Sequence, residues 1–188
     1  MYTKAEMSVK ERLLAASVTC LRRQGFAATT ARDIAAEAQA NLRSIGYHYG
    51  STRSLLLAAI SANWRSWLEP LISAAEDTEL EPAERLRVGM ELFVDELHQN
   101  AAMVCAWLEA VVIAHRDEDL RRTLSANQLE FSAALARTLE QAGHADPRAS
   151  ADAIISVCDG AIVGYLLHGS TPPPRDIATA AAAGLSST

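Results

Sequence analysis

The residues of this chain whose types and spacing suggest chemistry form a short polar run, Asn41-Leu42-Arg43-Ser44, with Tyr47 and His48 one helical turn further on. An arginine in the first turn of an exposed helix can offer its planar guanidinium to O6 and N7 of guanine in the DNA major groove, and a leucine beside it can touch a thymine methyl. Arg43 and Leu42 fill those parts if a helix runs from Leu42 to about His48. Asn41 is suited to cap it, because its short side chain accepts from backbone N–H groups two or three residues on. Ser44 completes the presented turn. Upstream, Thr30 and Asp33 make a Thr-x-x-Asp box ahead of Ile34, Ala35 and Ala38, so a short helix is predicted over about Ala31 to Ala38. Its free N–H groups, with Thr30, can hold a phosphate.

Two short helices can present such a turn only if something holds them at a fixed angle. Ala35 and Ala38 permit close approach, Ile34 and Ile45 fill the space between, and a first helix over Ser8 to Gln24 supplies Leu13, Leu14, Val18 and Leu21 as a floor, with Gly25 as its stop. This is the pattern of a helix-turn-helix. Gly50 ends the third helix and Ser51 caps a fourth, Thr52 to about Glu76, with a wide apolar face from Leu55 to Leu71 and a kink expected at Pro70. An acidic loop over Glu76 to Glu81 follows, then helices from Pro82, over Ala101 to His115, over Asp117 to Ala142 and over Pro147 to Gly169. The chain is therefore expected to be all-α. It divides into a helix-turn-helix head (1–54), a helical body (55–171) and an Ala-rich tail (172–188) isolated by Pro172 to Pro174.

Charge follows the same division. The 188 residues carry a net charge of -6, which spread evenly would disfavour a polyanion, but residues 1–54 hold eight Lys and Arg against four Asp and Glu, a local +4. The rest of the chain holds nine cations against nineteen carboxylates, a local -10. A basic head and an acidic body suit a protein that meets DNA with one end. Cys20, Cys105 and Cys158 are scattered among apolar residues, so reduced thiols are expected, and neither a disulfide framework nor a zinc cluster. The first ten residues have no apolar run and do not read as a signal peptide, and the Ile154 to Leu167 stretch is interrupted by Asp159 and short for a bilayer. A cytoplasmic protein is expected. Nucleophile, base and orienter do not occur in a recognisable arrangement, and there is no His-x-x-x-His, Glu-x-x-His or phosphate-binding Gly-rich loop, so neither enzyme nor cofactor is expected.

In the body the last helix combines Ile154, Cys158, Ala161, Ile162 and Tyr165 with small Gly160 and Gly164, and the helix before it carries Leu135 and Leu139. These residues are expected to form a four-helix interface between two copies of the chain, the alternative being burial within one copy. Trp64, Trp67, Met103 and Trp107 could line an apolar cavity for a small effector, or simply be core, with His98, Glu109 and Asp159 as polar candidates nearby.

Across residues 10–60 the order and spacing of several short segments resemble the DNA-binding domain of the TetR family of bacterial regulators. They are Leu13-Leu14-Ala15-Ala16, Gln24-Gly25-Phe26, Thr29-Thr30-Ala31-Arg32-Asp33-Ile34-Ala35, Glu37-Ala38 and Ile45-Gly46-Tyr47-His48-Tyr49-Gly50-Ser51, then Leu55-Leu56. The resemblance implies an all-α homodimer whose heads enter successive major grooves of a pseudo-palindromic operator, under control of a small molecule bound by the body. It also implies phosphate contacts by Tyr47 and His48 and by Thr30 and Arg32 of the second helix. Three positions depart from the pattern. Gln39 stands where a glycine is usual in the turn, which predicts a strained left-handed backbone there, and Gly46 stands where an aromatic is common. Thr52 replaces a phosphate-touching Lys, with Arg53 beside it as a substitute. The missing Lys at position 52 leaves a second reading open, a helical small-molecule-binding module with weakened or lost DNA binding, against which the basic head stands.

Overall fold

Ser8 opens the first helix by closing a reciprocal cap, its hydroxyl accepting from the Glu11 N–H at 3.3 Å while the Glu11 carboxylate accepts from the Ser8 N–H at 2.7 Å. These bonds hold the Glu11 carboxyl below its ordinary pKa. The computed structural model describes residues 7–77, 79–141, 143–169 and 176. Among them are eight α-helices and no strand, as the sequence pattern predicts: α1 (Val9–Ala28), α2 (Ala31–Glu37), α3 (Arg43–Tyr49), α4 (Thr52–Glu76), α5 (Pro82–Gln99), α6 (Ala101–Ala114), α7 (Glu118–Gln141) and α8 (Pro147–His168). The Ala-rich tail over 172–188 lies outside the described residues apart from Asp176.

The expected stop at Gly25 is a break rather than an end. Gly25 takes φ 79 and ψ 179, and one further turn follows to Ala28. Pro70 is accommodated inside α4 without terminating it.

Two compact units are formed, one from Met1–Arg65 with Ala102–Leu124 and one from Ser66–Ala101 with Ser125–Thr188. The first is built on a single apolar cluster. Leu13, Leu21, Ile34 and Leu55 are fully buried in it, joined by Ile45 and by Met103, Ala106, Ala110, Ala114 and Leu120 from α6 and the start of α7. At about 1.5–3 kcal/mol for each large aliphatic side chain taken from water, this cluster outweighs any polar contact in fixing how α1, α2 and α3 meet. Segment 102–124 is thus part of the same packed body as the helix-turn-helix.

In the second unit Trp67 lies flat on Phe93, ring centroids 5.7 Å apart, and Leu97, Leu139, Ile154, Cys158 and Ile162 are buried. Ser132 of α7 donates to Asp152 of α8 at 2.8 Å. Asp146 caps α8 by accepting from the Ala149 N–H at 3.0 Å, Pro147 occupies its first turn, and Gly169 closes it at φ 70. With 22 residues α8 exceeds the stretch weighed from sequence and by length and composition alone could cross a membrane. Ala151, Ile154, Ile155 and Ile162 on it are buried, while Val163 and Leu167 are exposed.

The turn that ends α2 follows the Schellman pattern: the Ala40 N–H donates to Ala35 O at 3.0 Å and the Gln39 N–H to Ala36 O at 3.1 Å. Gln39 sits at the left-handed position of that motif, with φ 51. A side chain there is crowded against its own carbonyl, so Gln39→Gly is expected to raise stability by about 0.5–1 kcal/mol in urea titrations, strain relief exceeding the added unfolded-state entropy. An equal loss of stability would show that the Gln39 side chain contributes more than its backbone costs.

Candidate nucleic-acid interface

Thr30 does what a helix-opening residue should, but with a partner of its own. Its hydroxyl accepts from the Asp33 N–H at 3.3 Å and lies 2.6 Å from Asp33 Oδ2, which also accepts from the Thr30 N–H at 3.0 Å and from the Gln24 amide at 3.0 Å. The capping bonds from Thr30 and Gln24 draw the Asp33 carboxyl below its ordinary pKa. The chain's own carboxylate therefore already engages Thr30, and the Thr30 hydroxyl in turn takes the Asp33 N–H. Arg32 beside it is exposed.

Five residues reverse the chain between α2 and α3. Asn41 Oδ1 accepts from the Arg43 N–H at 2.9 Å, but α3 starts at Arg43, one residue later than the pattern suggested, so the cap position falls to Leu42, which makes no side-chain cap bond, and Asn41 closes the turn ahead of it. Ile45 points inward at 3% exposure and anchors the helix, which turns Leu42 outward at 48%. Arg43 is exposed and Ser44 half-buried. Tyr47 stands out at 85% exposure with the half-buried His48 against it, rings edge to face at 4.9 Å. Leu42, Arg43 and Tyr47 are thus brought onto one solvent-facing helix. Tyr49 turns the other way, donating its hydroxyl to Lys10 O at 2.8 Å, and burial raises its pKa. Gly46 is exposed with open space where a side chain would be.

Intramolecular partners sort the cations of the head. Arg12 donates to Ala38 O at 3.3 Å and Met7 O at 3.1 Å, so it closes the end of α2 and ties down the chain before α1. Arg23 pairs with Glu37 at 3.6 Å, and Arg22 reaches Asn63 at 3.5 Å. Arg53, the substitute for the missing Lys, is ion-paired with Asp117. Thr52 beside it is half-buried at the start of α4, whose first turn is capped by Ser51 accepting from the Ser54 N–H at 3.0 Å. Arg32 and Arg43 are exposed, and neither is within ion-pair distance of a carboxylate among the described residues. They are the guanidinium groups most available to an outside anion.

Two contributors were not legible in the sequence. Arg12 counted only as one of several cations, and Glu109 only as a polar neighbour of a cavity. Glu109 instead reaches from α6 to the break in α1, where its Oε2 accepts from the Phe26 N–H at 2.8 Å and the Ala27 N–H at 3.1 Å. Its carboxylate occupies the space a Cβ at Gly25 would need, which with the positive φ explains the glycine. A carboxylate on two N–H groups at the start of a turn acts as a cap supplied from another helix.

The remaining candidates separate. Trp64 and Trp107 stack in the first unit, centroids 5.1 Å apart and planes within 12°, with Met103 buried in the same unit. Trp67 lies on Phe93 in the second unit, where His98 is exposed against Tyr165 at 5.0 Å. Asp159 is half-buried, and its carboxyl pKa is pushed up by burial. Of the residues expected at a subunit interface, Leu139, Ile154, Cys158, Ala161 and Ile162 point into their own unit, each 9% exposed or less, while Leu135 and Tyr165 are half-buried. The physical reason is that α8 is apolar nearly all round, so helical period could not tell its inner stripe from its outer one.

A basic three-helix head that projects a capped helix with an exposed arginine in its first turn defines a helix-turn-helix DNA-binding protein. Comparison with known proteins gives the family. Residues 13–59 match the family model for bacterial regulatory proteins of the tetR family, and residues 81–188, more than half of the chain, match the tetracyclin repressor-like C-terminal domain. The chain belongs to the TetR family of transcription regulators. Among solved structures it is similar to a protein described as a transcriptional regulator from Pseudomonas aeruginosa PAO1, with 25% identity, 98% of this chain and 93% of that one covered, and a TM-score of 0.78. A TetR transcription regulator from Haloarcula marismortui ATCC 43049 shares the fold at 18% identity, with 96% and 97% covered and a TM-score of 0.76. So does the multidrug binding protein EbrR complexed with proflavin, at 19% identity, with 94% and 99% covered and a TM-score of 0.69. Curated protein sequences give no match.

Loss of the Glu109 cap should be measurable. Glu109→Ala leaves the Phe26 and Ala27 N–H groups without their acceptor and is expected to cost about 1–2 kcal/mol in chemical denaturation. Glu109→Gln, whose amide oxygen can still accept, should cost less. Equal stability of all three proteins would show that water replaces the carboxylate without penalty.

Proposed function

We propose that the protein is a cytoplasmic, ligand-responsive repressor that binds a pseudo-palindromic DNA operator as a homodimer. One observation carries the DNA-binding half of this: the first turn of α3 is solvent-facing, with Leu42 at 48% exposure and Arg43 free of carboxylates among the described residues, on a helix anchored from below by Ile45. A guanidinium so placed can make the bidentate guanine contact, Leu42 can meet a thymine methyl, and Arg32, Thr30, Asn41, Ser44, Tyr47 and His48 flank them for phosphate. Two heads reading one duplex face must stand about 34 Å apart, one helical turn.

The partner surface is the outward face of the last two helices. On α8 the exposed positions Ser156, Gly160, Val163 and Leu167 recur at helical spacing, with Val163 at 46% and Leu167 at 73% exposure. Leu129 at 59% and the exposed Ala133 do the same on α7. Small residues between large apolar ones let two such helix pairs interdigitate across a two-fold axis. Small-molecule control is proposed as population shift. An effector that binds one body conformation better than another moves the heads off the operator spacing without touching α3. Trp64, Met103 and Trp107 of the first unit are the residues proposed to meet it, the stacked rings of Trp64 and Trp107 offering flat apolar surface.

The second reading, a small-molecule module with weakened DNA binding, is favoured by one observation, the engagement of Arg53 by Asp117. Selection of bound sequences from random duplex DNA decides between them. An enriched two-fold element is expected for the regulator, and Arg43→Ala should relax preference at one position per half-site by about 1–3 kcal/mol. Absence of enrichment supports the second reading, and an equal loss on all sequences moves Arg43 to the phosphate backbone. For the assembly, Val163→Glu with Leu167→Glu is expected to convert the dimer to a folded monomer in sedimentation experiments. An unchanged dimer would place the interface elsewhere.

A further inference from the structure

The ion pair between Arg53 and Asp117 joins two segments far apart in sequence: the first turn of α4, four residues beyond the end of α3, and the turn between α6 and α7. Its geometry is imposed by packing rather than by the charges. Leu55 and Leu56 bury the start of α4 in the same apolar cluster that takes Ala114 before Asp117 and Leu120 after it. Asp117 is held a second way, its Oδ1 accepting from the Leu120 N–H at 3.0 Å as the cap of α7. The carboxylate is thus a fixed group at 22% side-chain exposure, and the guanidinium that meets it is the more open partner at 44%. Arg53 is an exposed cation of the DNA-binding head whose charge is answered from within the chain.

We infer that Asp117 is an intramolecular rival of DNA phosphate for Arg53. In the DNA-free protein it holds the guanidinium, and on duplex DNA a phosphate oxygen takes its place, so occupancy of DNA and the state of the α6–α7 turn are coupled. The inference rests on the proposed DNA-binding role of the head. It gives the turn a function other than connection: any rearrangement that draws Asp117 away frees a cation for DNA, and by reciprocity DNA loosens the tie between α4 and the turn. It also assigns a consequence to the replacement of Lys by Thr52, since the neighbouring cation is restrained in a way that an unpaired lysine is not.

The test uses the full chain, a random-sequence duplex pool as probe, and the variants Asp117→Asn, Arg53→Gln and the two combined. Asn ranks with Asp as a helix cap, so Asp117→Asn removes the charge while keeping an acceptor for the Leu120 N–H. Should that variant unfold, Asp117→Ser keeps a capping oxygen and reads the same quantity. Asp117→Asn is expected to tighten binding on the order of two- to fivefold at moderate salt, the range set by exposed ion pairs. That gain should vanish when Arg53→Gln is also present. In the Asp117→Asn background, Arg53→Gln should flatten the slope of log affinity against log salt by about 0.9 for each head engaged, because one fewer phosphate is neutralised. A gain that persists undiminished in the double variant would reduce Asp117 to long-range repulsion and overturn the inference, leaving DNA binding itself intact. Failure of every variant to bind duplex at low salt would overturn both.

Discussion

The apolar contact among α1, α2 and α3 is the constraint on which everything else depends. Ile34, Leu13 and Leu21 are fully buried and Ile45 nearly so, and together they fix the angle at which α3 leaves the head. The chain has only the residues from Ala38 to Leu42 in which to turn from one helix to the next, so it adopts a left-handed backbone at Gln39 and accepts the strain. Arg12, bonded to Ala38 O, braces the same point from α1. Exposure of Arg43 is a consequence: with Ile45 inward, helical geometry sends the residue two before it to the opposite side, toward solvent, while Leu42 is exposed in the turn just ahead of the helix.

Electrostatics act on that scaffold in a selective way. Several polar groups that a polyanion could use are already engaged by the chain's own carboxylates, Thr30 by Asp33, the break in α1 by Glu109 and Arg53 by Asp117. Two of those carboxylates come from α6 and the turn after it, inside the same compact unit as the head. In the helix-turn-helix itself Arg32 and Arg43 are exposed and meet no carboxylate among the described residues, which leaves their charge available to an outside anion. Counting charge along the sequence gives the sign of the head correctly, but pairing decides which charges remain usable.

Local signals in the sequence were the dependable ones. The Thr30-x-x-Asp33 box, the left-handed backbone at Gln39 and the inward Ile34 and Ile45 all follow from residues within a few positions of one another, and each is found as expected, while the cap expected at Asn41 falls one residue later, at Leu42. What escaped detection depends on distance or symmetry. Glu109 and Phe26 are 83 positions apart, and nothing in the neighbourhood of either announces the other. On α8 the ambiguity is of another kind: apolar residues recur on both its buried and its exposed sides, so Ile154, Cys158, Ala161 and Ile162 look the same in one dimension as Val163 and Leu167. Only the packed structure distinguishes which stripe is already covered. The aromatic set was legible as apolar, while its stacking and its division between two units were not.

The central claim is that α3 is the surface that meets DNA, and amide chemical shifts of the isotope-labelled full chain, titrated with duplex DNA at low salt, test it most directly. Perturbations concentrated at Thr30 to Arg32 and Asn41 to His48, with little change in the Ile45 environment below, are the expected result. Saturable binding that leaves those residues unmoved while shifting others would contradict the account.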